Sequence, residues 1–154
     1  MTELESLTDI ALSKFSEGYN CAQSVLYAFG ERAGLDKDVA LRIATGFGVG
    51  IGRKQEVCGA VSGGVMVLGL LRGRREGEGR ENTERTYALC LALLDEIAER
   101  HGSYLCRDLV QGCDLRTAEG KAKFTEARML DTVCAPCVRS VVEAVYALVE
   151  GEGS

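Results

Sequence analysis

The sequence predicts an all-α protein: a single-domain helical bundle of about six to seven helices over residues 1–150. Three observations carry that prediction. Apolar residues recur at helical spacing in segment after segment, strand-like alternation is scarce, and proline occurs once in 154 residues.

Leu4, Leu7, Ala11 and Phe15 form the first apolar stripe, closed near Gly18. Asn20 is placed to cap a second helix with the face Ala22, Val25, Leu26 and Phe29, and Gly30 and Gly34 punctuate its end. Asp36 can cap a third, carrying Val39, Ala40 and Ile43. Gly46 to Gly52 alternates glycine with larger residues, but four glycines make a poor strand, so an irregular turn is expected. A glycine-rich helix follows from about Val57 to Leu71, where Gly59 and Gly63 admit a close neighbouring backbone.

Arg72 to Glu81 is charged and glycine-rich, and is expected to be the most mobile loop. Asn82 precedes the clearest periodicity. Tyr87, Cys90, Leu91, Leu94, Ile97, Ala98 and His101 share a face that Gly102 ends. Ser103 opens a short helix through Leu109 and Val110, and Thr117 caps another from Ala118 to about Met129. The last helix is expected from about Pro136, carrying Val138, Val141, Val142, Val145, Leu148 and Val149, with residues 151–154 as a disordered tail.

Composition narrows the function. Hydrophobic residues make up 46% and charged residues 27%, a globular balance. The net charge of −5 and the lack of a basic run argue against nucleic acid as a partner. Arg72, Arg74, Arg75 and Arg80 cluster, but Glu76, Glu78 and Glu81 interleave with them. The start, Met1-Thr2-Glu3-Leu4-Glu5, lacks the basic and apolar pattern of a signal peptide. The longest apolar run, Val65 to Leu71, falls far short of the ~20 residues of a membrane span. The expectation is a cytoplasmic protein without membrane insertion.

Seven cysteines then become the main fact: Cys21, Cys58, Cys90, Cys106, Cys113, Cys134 and Cys137. An odd number rules out a complete disulfide framework within one chain, and in a reducing compartment such a chain binds metal or does redox chemistry. Cys21, Cys58 and the Cys134–Cys137 pair stand where helices are expected to begin. A helix start favours thiolate, the form that attacks disulfides and binds metal. Cys134-Ala135-Pro136-Cys137 suits a redox disulfide or two ligands of one metal, although no strands flank it as in a thioredoxin.

The segment Cys58-Gly59-Ala60-Val61-Ser62-Gly63 resembles the CGAxxG signature of the C_GCAxxG_C_C family of redox-active proteins. Gly18 to Val25, Cys106-Arg107-Asp108-Leu109 and Val133-Cys134 are similar to its other cysteine segments. The resemblance implies four shared cysteines, Cys21, Cys58, Cys106 and Cys134, with no established reaction. Cys90, Cys113 and Cys137 are then extras, Cys137 standing where the family pattern has an apolar residue.

Two chemistries fit a converging set of four. In one, Cys21, Cys58, Cys106 and Cys134 are redox thiols and Cys137 resolves, giving thiol–disulfide exchange or electron transfer with a redox partner. In the other, the same four hold an iron–sulfur cluster or zinc. A structural or partner-binding bundle is the third reading, with the cysteines as small buried hydrophobes, which Cys90 is expected to be. His101, the lone histidine, is expected to cap or pack at a helix end that favours a positive imidazole. Gly46 to Gly52 does not read as a nucleotide loop, since no strand precedes it and Lys54-Gln55 is not a P-loop pair. Asp108, Asp114 and Asp131 are expected at the surface.

Overall fold

The computed structural model describes residues 1–151, so Glu152, Gly153 and Ser154 of the expected tail lie outside the described residues. Seven helices of eight residues or more are described: α1 (Glu3–Ser16), α2 (Cys21–Gly30), α3 (Lys37–Ala44), α5 (Gly59–Arg72), α6 (Glu81–His101), α8 (Ala118–Glu126) and α9 (Ala135–Gly151). Two one-turn pieces, α4 (Gly48–Ile51) and α7 (Cys106–Leu109), complete the order. The all-α class stands. Among the described residues, the one strand-like contact is an antiparallel bridge between Val57 and Leu105.

Helix α2 lies at the centre. It packs on α1, α3 and α5, while α9 closes against α1, α5 and α6. Glycine permits the tightest of these contacts. A Cβ at Gly63 would meet the Ala22 carbonyl oxygen at 2.8 Å, so no larger residue fits where α5 crosses α2. Sequence reasoning anticipated Gly59 and Gly63 but not Gly64, where a Cβ would sit 2.8 Å from Val141 Cγ1 and 2.9 Å from Leu93 Cδ2. Gly64 is where α9 and α6 meet α5.

That meeting sets which face of α6 is buried. Leu89, Leu93 and Ile97 point into the core, whereas Tyr87 and Leu91, expected on the buried face, are 59% and 66% exposed. Similarly, α3 buries Ala40 and Ala44 and leaves Val39 and Ile43 exposed. Its rotation is fixed by α2. Gln23 Nε2 donates to the Leu41 carbonyl at 3.0 Å and to Thr45 Oγ1 at 3.1 Å, and Asn20 Nδ2 donates to the Thr45 carbonyl at 2.9 Å.

Several boundaries also moved. Helix α6 begins at Glu81, so Asn82 lies inside it. The Asn82 side chain donates instead to Glu78, whose carboxylate also accepts from the Arg75 N–H and folds the preceding loop on itself. Helix α8 ends at Glu126, short of Met129. A π-helical turn, Leu130–Cys134, runs into α9, which continues to Gly151. The combined helix Leu130–Gly151 is long and apolar enough to cross a membrane by length and composition, a stretch the sequence reading had not recognised. In this fold 44% of that apolar window is buried, and Val138, Val141, Val142 and Val145 lie in the core.

Candidate functional site

Asn20 caps α2 through a reciprocal pair of 2.9 Å hydrogen bonds. Its Oδ1 accepts from the Gln23 N–H, and Gln23 Oε1 accepts from the Asn20 N–H. This holds Cys21 as the first residue of the helix. Cys58 is the N-cap of α5. Its N–H donates to the Tyr104 carbonyl at 2.9 Å, and the Cys106 N–H donates to the Glu56 carbonyl at 2.7 Å. The Val57–Leu105 bridge thereby brings Cys58 and Cys106, 48 positions apart in sequence, onto adjoining backbone. Cys134 and Cys137 lie three residues apart in one continuous helical run, hence on one face.

The helix-start expectation is therefore corrected. Cys21, Cys58 and Cys106 sit at helix starts, but Cys134 is the fifth residue of the helical run that opens at Leu130. The π-helical turn displaced the start upstream of Pro136. The first-turn dipole does not act on Cys134 or Cys137 as supposed.

All five cysteines border a single cavity of about 440 Å³. Cys58 and Cys137 are buried, and Cys21, Cys106 and Cys134 are half-buried. Their thiols influence one another most strongly in two pairs, Cys58 with Cys137 and Cys21 with Cys134. The hydrogen bond from Cys137, opposed by burial and assisted by the N–H groups of Ala60 and Val61, lowers the Cys58 thiol to about 7. The same bond to Cys58, with burial, raises Cys137 far above the ordinary thiol range. The bond to Cys134 and then burial hold Cys21 well above that range. Burial pushes Cys106 up to about 12, with Cys58 and Cys134 adding to it. The site thus separates one thiolate near neutral pH, Cys58, from the Cys21, Cys106 and Cys137 thiols, which are held protonated, and this is the division of roles that exchange chemistry needs.

The remaining cysteines lie apart. Cys90 packs against the main core from α6, and burial raises its thiol. Cys113 belongs to a second apolar cluster with Val110, Leu115 and Met129. His101 Nε2 contacts Ser140 Oγ at 2.8 Å. Burial and then Arg100 lower its pKa, so the imidazole is not held positive as its helix-end position suggested. Asp108, Asp114 and Asp131 engage Ser103, Arg116 and Arg128 at the surface.

The glycine segment shapes the cavity wall. Val49, Ile51, Arg53 and Gln55 all have positive φ, alternating with Gly50 and Gly52. Such non-glycine residues cost on the order of 1 kcal/mol each and persist only where surrounding contacts hold them. Here the Gln55 N–H donates to the Val49 carbonyl at 3.2 Å and the Glu56 N–H to the Gly50 carbonyl at 2.9 Å. The buried Gln55 side chain donates to the Cys113 carbonyl at 2.7 Å and accepts from the Leu115 N–H at 2.8 Å. Arg107 pairs with Glu56 and bonds the Gln55 carbonyl. Sequence reasoning missed Gln55 because a polar residue beside a glycine run looks like solvent-facing loop.

Among the described residues, no three His, Cys, Asp or Glu side chains are so placed that they could hold a metal ion.

A family model described as "Putative redox-active protein (C_GCAxxG_C_C)" matches residues 19–148, taking in every cavity-lining cysteine. A protein of Archaeoglobus fulgidus described as "Uncharacterized protein" is 28% identical over 133 residues, covering 82% of this chain and 88% of its own length. No solved structure matches.

Proposed function

From the premise that this chain belongs to the C_GCAxxG_C_C family of redox-active proteins, we propose that it carries out thiol–disulfide exchange in the reducing cytoplasm, with Cys58 as nucleophile and Cys137 as resolving thiol. What supports this reading is that Cys58 and Cys137 are both buried on the wall of one cavity, and that the neighbouring Cys137 thiol favours the Cys58 thiolate. The Cys58 thiolate attacks one sulfur of a substrate disulfide and expels the other as thiolate, leaving a mixed disulfide. Cys137 then gives up its proton and attacks the Cys58 sulfur. A Cys58–Cys137 disulfide forms, and the substrate leaves as its second thiol. Two electrons pass from the protein dithiol to the substrate, and the reverse sequence returns them.

The Cys21–Cys134 pair lies on the same cavity and is less deeply buried, which suits it to exchange with the redox partner. Cys106, kept protonated near neutral pH, is assigned no exchange step.

The test is disulfide mapping after mild oxidation of the reduced protein with a small disulfide. A Cys58–Cys137 cystine peptide is expected, and Cys137→Ser should trap the oxidant on Cys58. Recovery of Cys58 and Cys137 as free thiols while other cysteines oxidise would overturn the assignment.

A further inference from the structure

The composition of the cavity wall is informative about what enters it. Phe15, Leu109, Leu115, Phe124, Leu130 and Val133 make it largely apolar, with the thiols among them. The charged residues lining it are Arg53 and Lys121, and no Asp or Glu joins them. Several cations elsewhere pair with carboxylates, among them Arg32 with Glu3, Arg100 with Glu96 and Glu143, Arg107 with Glu56, and Lys123 with Glu119, while Lys54 and Arg139 enter no ion pair among the described residues. The side chains of Arg53 and Lys121 enter no ion pair among the described residues. Arg53 also holds a left-handed backbone, φ 72°, in the loop that Gln55 and Arg107 pin in place. Both cations are exposed and line the cavity where it opens to solvent.

Apolar walls, two uncompensated positive charges and an exchange-competent thiol pair select one ligand chemistry. Resting on the thiol–disulfide reading, we infer that the cavity takes a small hydrocarbon-chain dithiol or disulfide ending in a carboxylate. The chain lies against the apolar wall, the sulfurs meet Cys58 and Cys137, and the carboxylate is met by Arg53 and Lys121. A volume of about 440 Å³ is that of a small-molecule site.

Stabilising the Cys58 thiolate favours the reduced protein, so its disulfide is the oxidant of the pair. One ligand thiolate attacks the Cys58–Cys137 disulfide and expels one cysteine as thiolate. The second ligand thiol then loses its proton, attacks the ligand sulfur of the mixed disulfide and expels the other cysteine. The ligand leaves as a cyclic disulfide, and the protein holds the two electrons.

Binding and exchange are read separately on the full chain. Octanoate and octanamide, which carry no sulfur, are titrated into the reduced protein by calorimetry. Octanoate is expected to bind at least ten-fold more tightly, and the R53Q/K121Q double variant should bring the two within about three-fold. Equal affinities in the unaltered protein, or no octanoate binding, would overturn the inference. The oxidised protein is then mixed with dihydrolipoate and with its neutral amide, and the acid is expected to react faster by a similar factor. If octanoate is preferred but neither dithiol is oxidised, the anion-selective cavity stands and the exchange reading fails. If both dithiols react equally fast and octanoate is not preferred, exchange stands and the substrate class is wrong.

Discussion

Cys137→Ala should convert Cys58 from a thiol ionised at neutral pH into an ordinary or worse one. The largest influence lowering Cys58 is the hydrogen bond donated by Cys137, and with it gone only the Ala60 and Val61 N–H groups oppose burial. The midpoint should therefore rise from about 7 at least to the ordinary 9.0, roughly two units. At pH 7 the thiolate fraction then falls from about one half to about one hundredth, near 50-fold. The more basic thiolate is intrinsically more nucleophilic by about 10-fold, so the rate at pH 7 drops only about 5-fold, and the midpoint is the better readout. The assay is iodoacetamide labelling of the reduced protein across pH 5.5 to 10, with Cys58 quantified by peptide mass spectrometry. Removing one sulfur leaves a small void costing on the order of 1 kcal/mol, which a domain of this size tolerates. Cys137→Ser keeps a donor and should stay within about half a unit of the unaltered protein. A Cys137→Ala midpoint still near 7, or a serine variant shifted as far as the alanine one, would refute the reasoning.

Three further outcomes are expected. Stability of the reduced protein should rise with pH between about 7 and 8 and turn over before the ordinary thiol value of 9.0. At the lower end the unfolded chain still binds the proton that native Cys58 has released, giving a slope of at most about 1.4 kcal/mol per unit, and towards 9.0 native Cys21, Cys90, Cys106 and Cys137 keep protons the unfolded chain loses. Urea titrations at pH 6, 7, 8, 9 and 10 check this, and a fall from 7 to 8 or a continued rise from 9 to 10 contradicts it. Gly63→Ala should destabilise by about 1–3 kcal/mol because the added methyl meets the Ala22 carbonyl, whereas Gly69→Ala on the same helix, with open space around it, should gain up to about 1 kcal/mol from helix propensity. Thermal unfolding distinguishes them, and equal effects would place the α2–α5 contact elsewhere. Gln55→Ala should cost about 2–4 kcal/mol, since it leaves the Cys113 carbonyl and the Leu115 N–H without the partner they have now, and chemical unfolding measures the loss.

The amino-acid sequence by itself determined the elements and most of their ends. Capping acts over three or four residues, so Asn20, Asp36 and Thr117 announce their helices without help from the rest of the chain. It also singled out the five cysteines that border the cavity, because residue type and local motif survive in one dimension. What it misplaced was rotation: the buried faces of α3 and α6 differ from the expected ones because partners contributed by Gln23 and Gly64 decide which side of a helix meets the core. Tertiary structure alone decided that the Cys58 thiol answers to Cys137 and the Cys21 thiol to Cys134, and that Arg53 and Lys121 share their cavity. Those relations join residues 79, 113 and 68 positions apart. The forces that bring them together are packing and backbone pairing, such as the Val57–Leu105 bridge, and these act through space on surfaces that exist only after the helices have assembled.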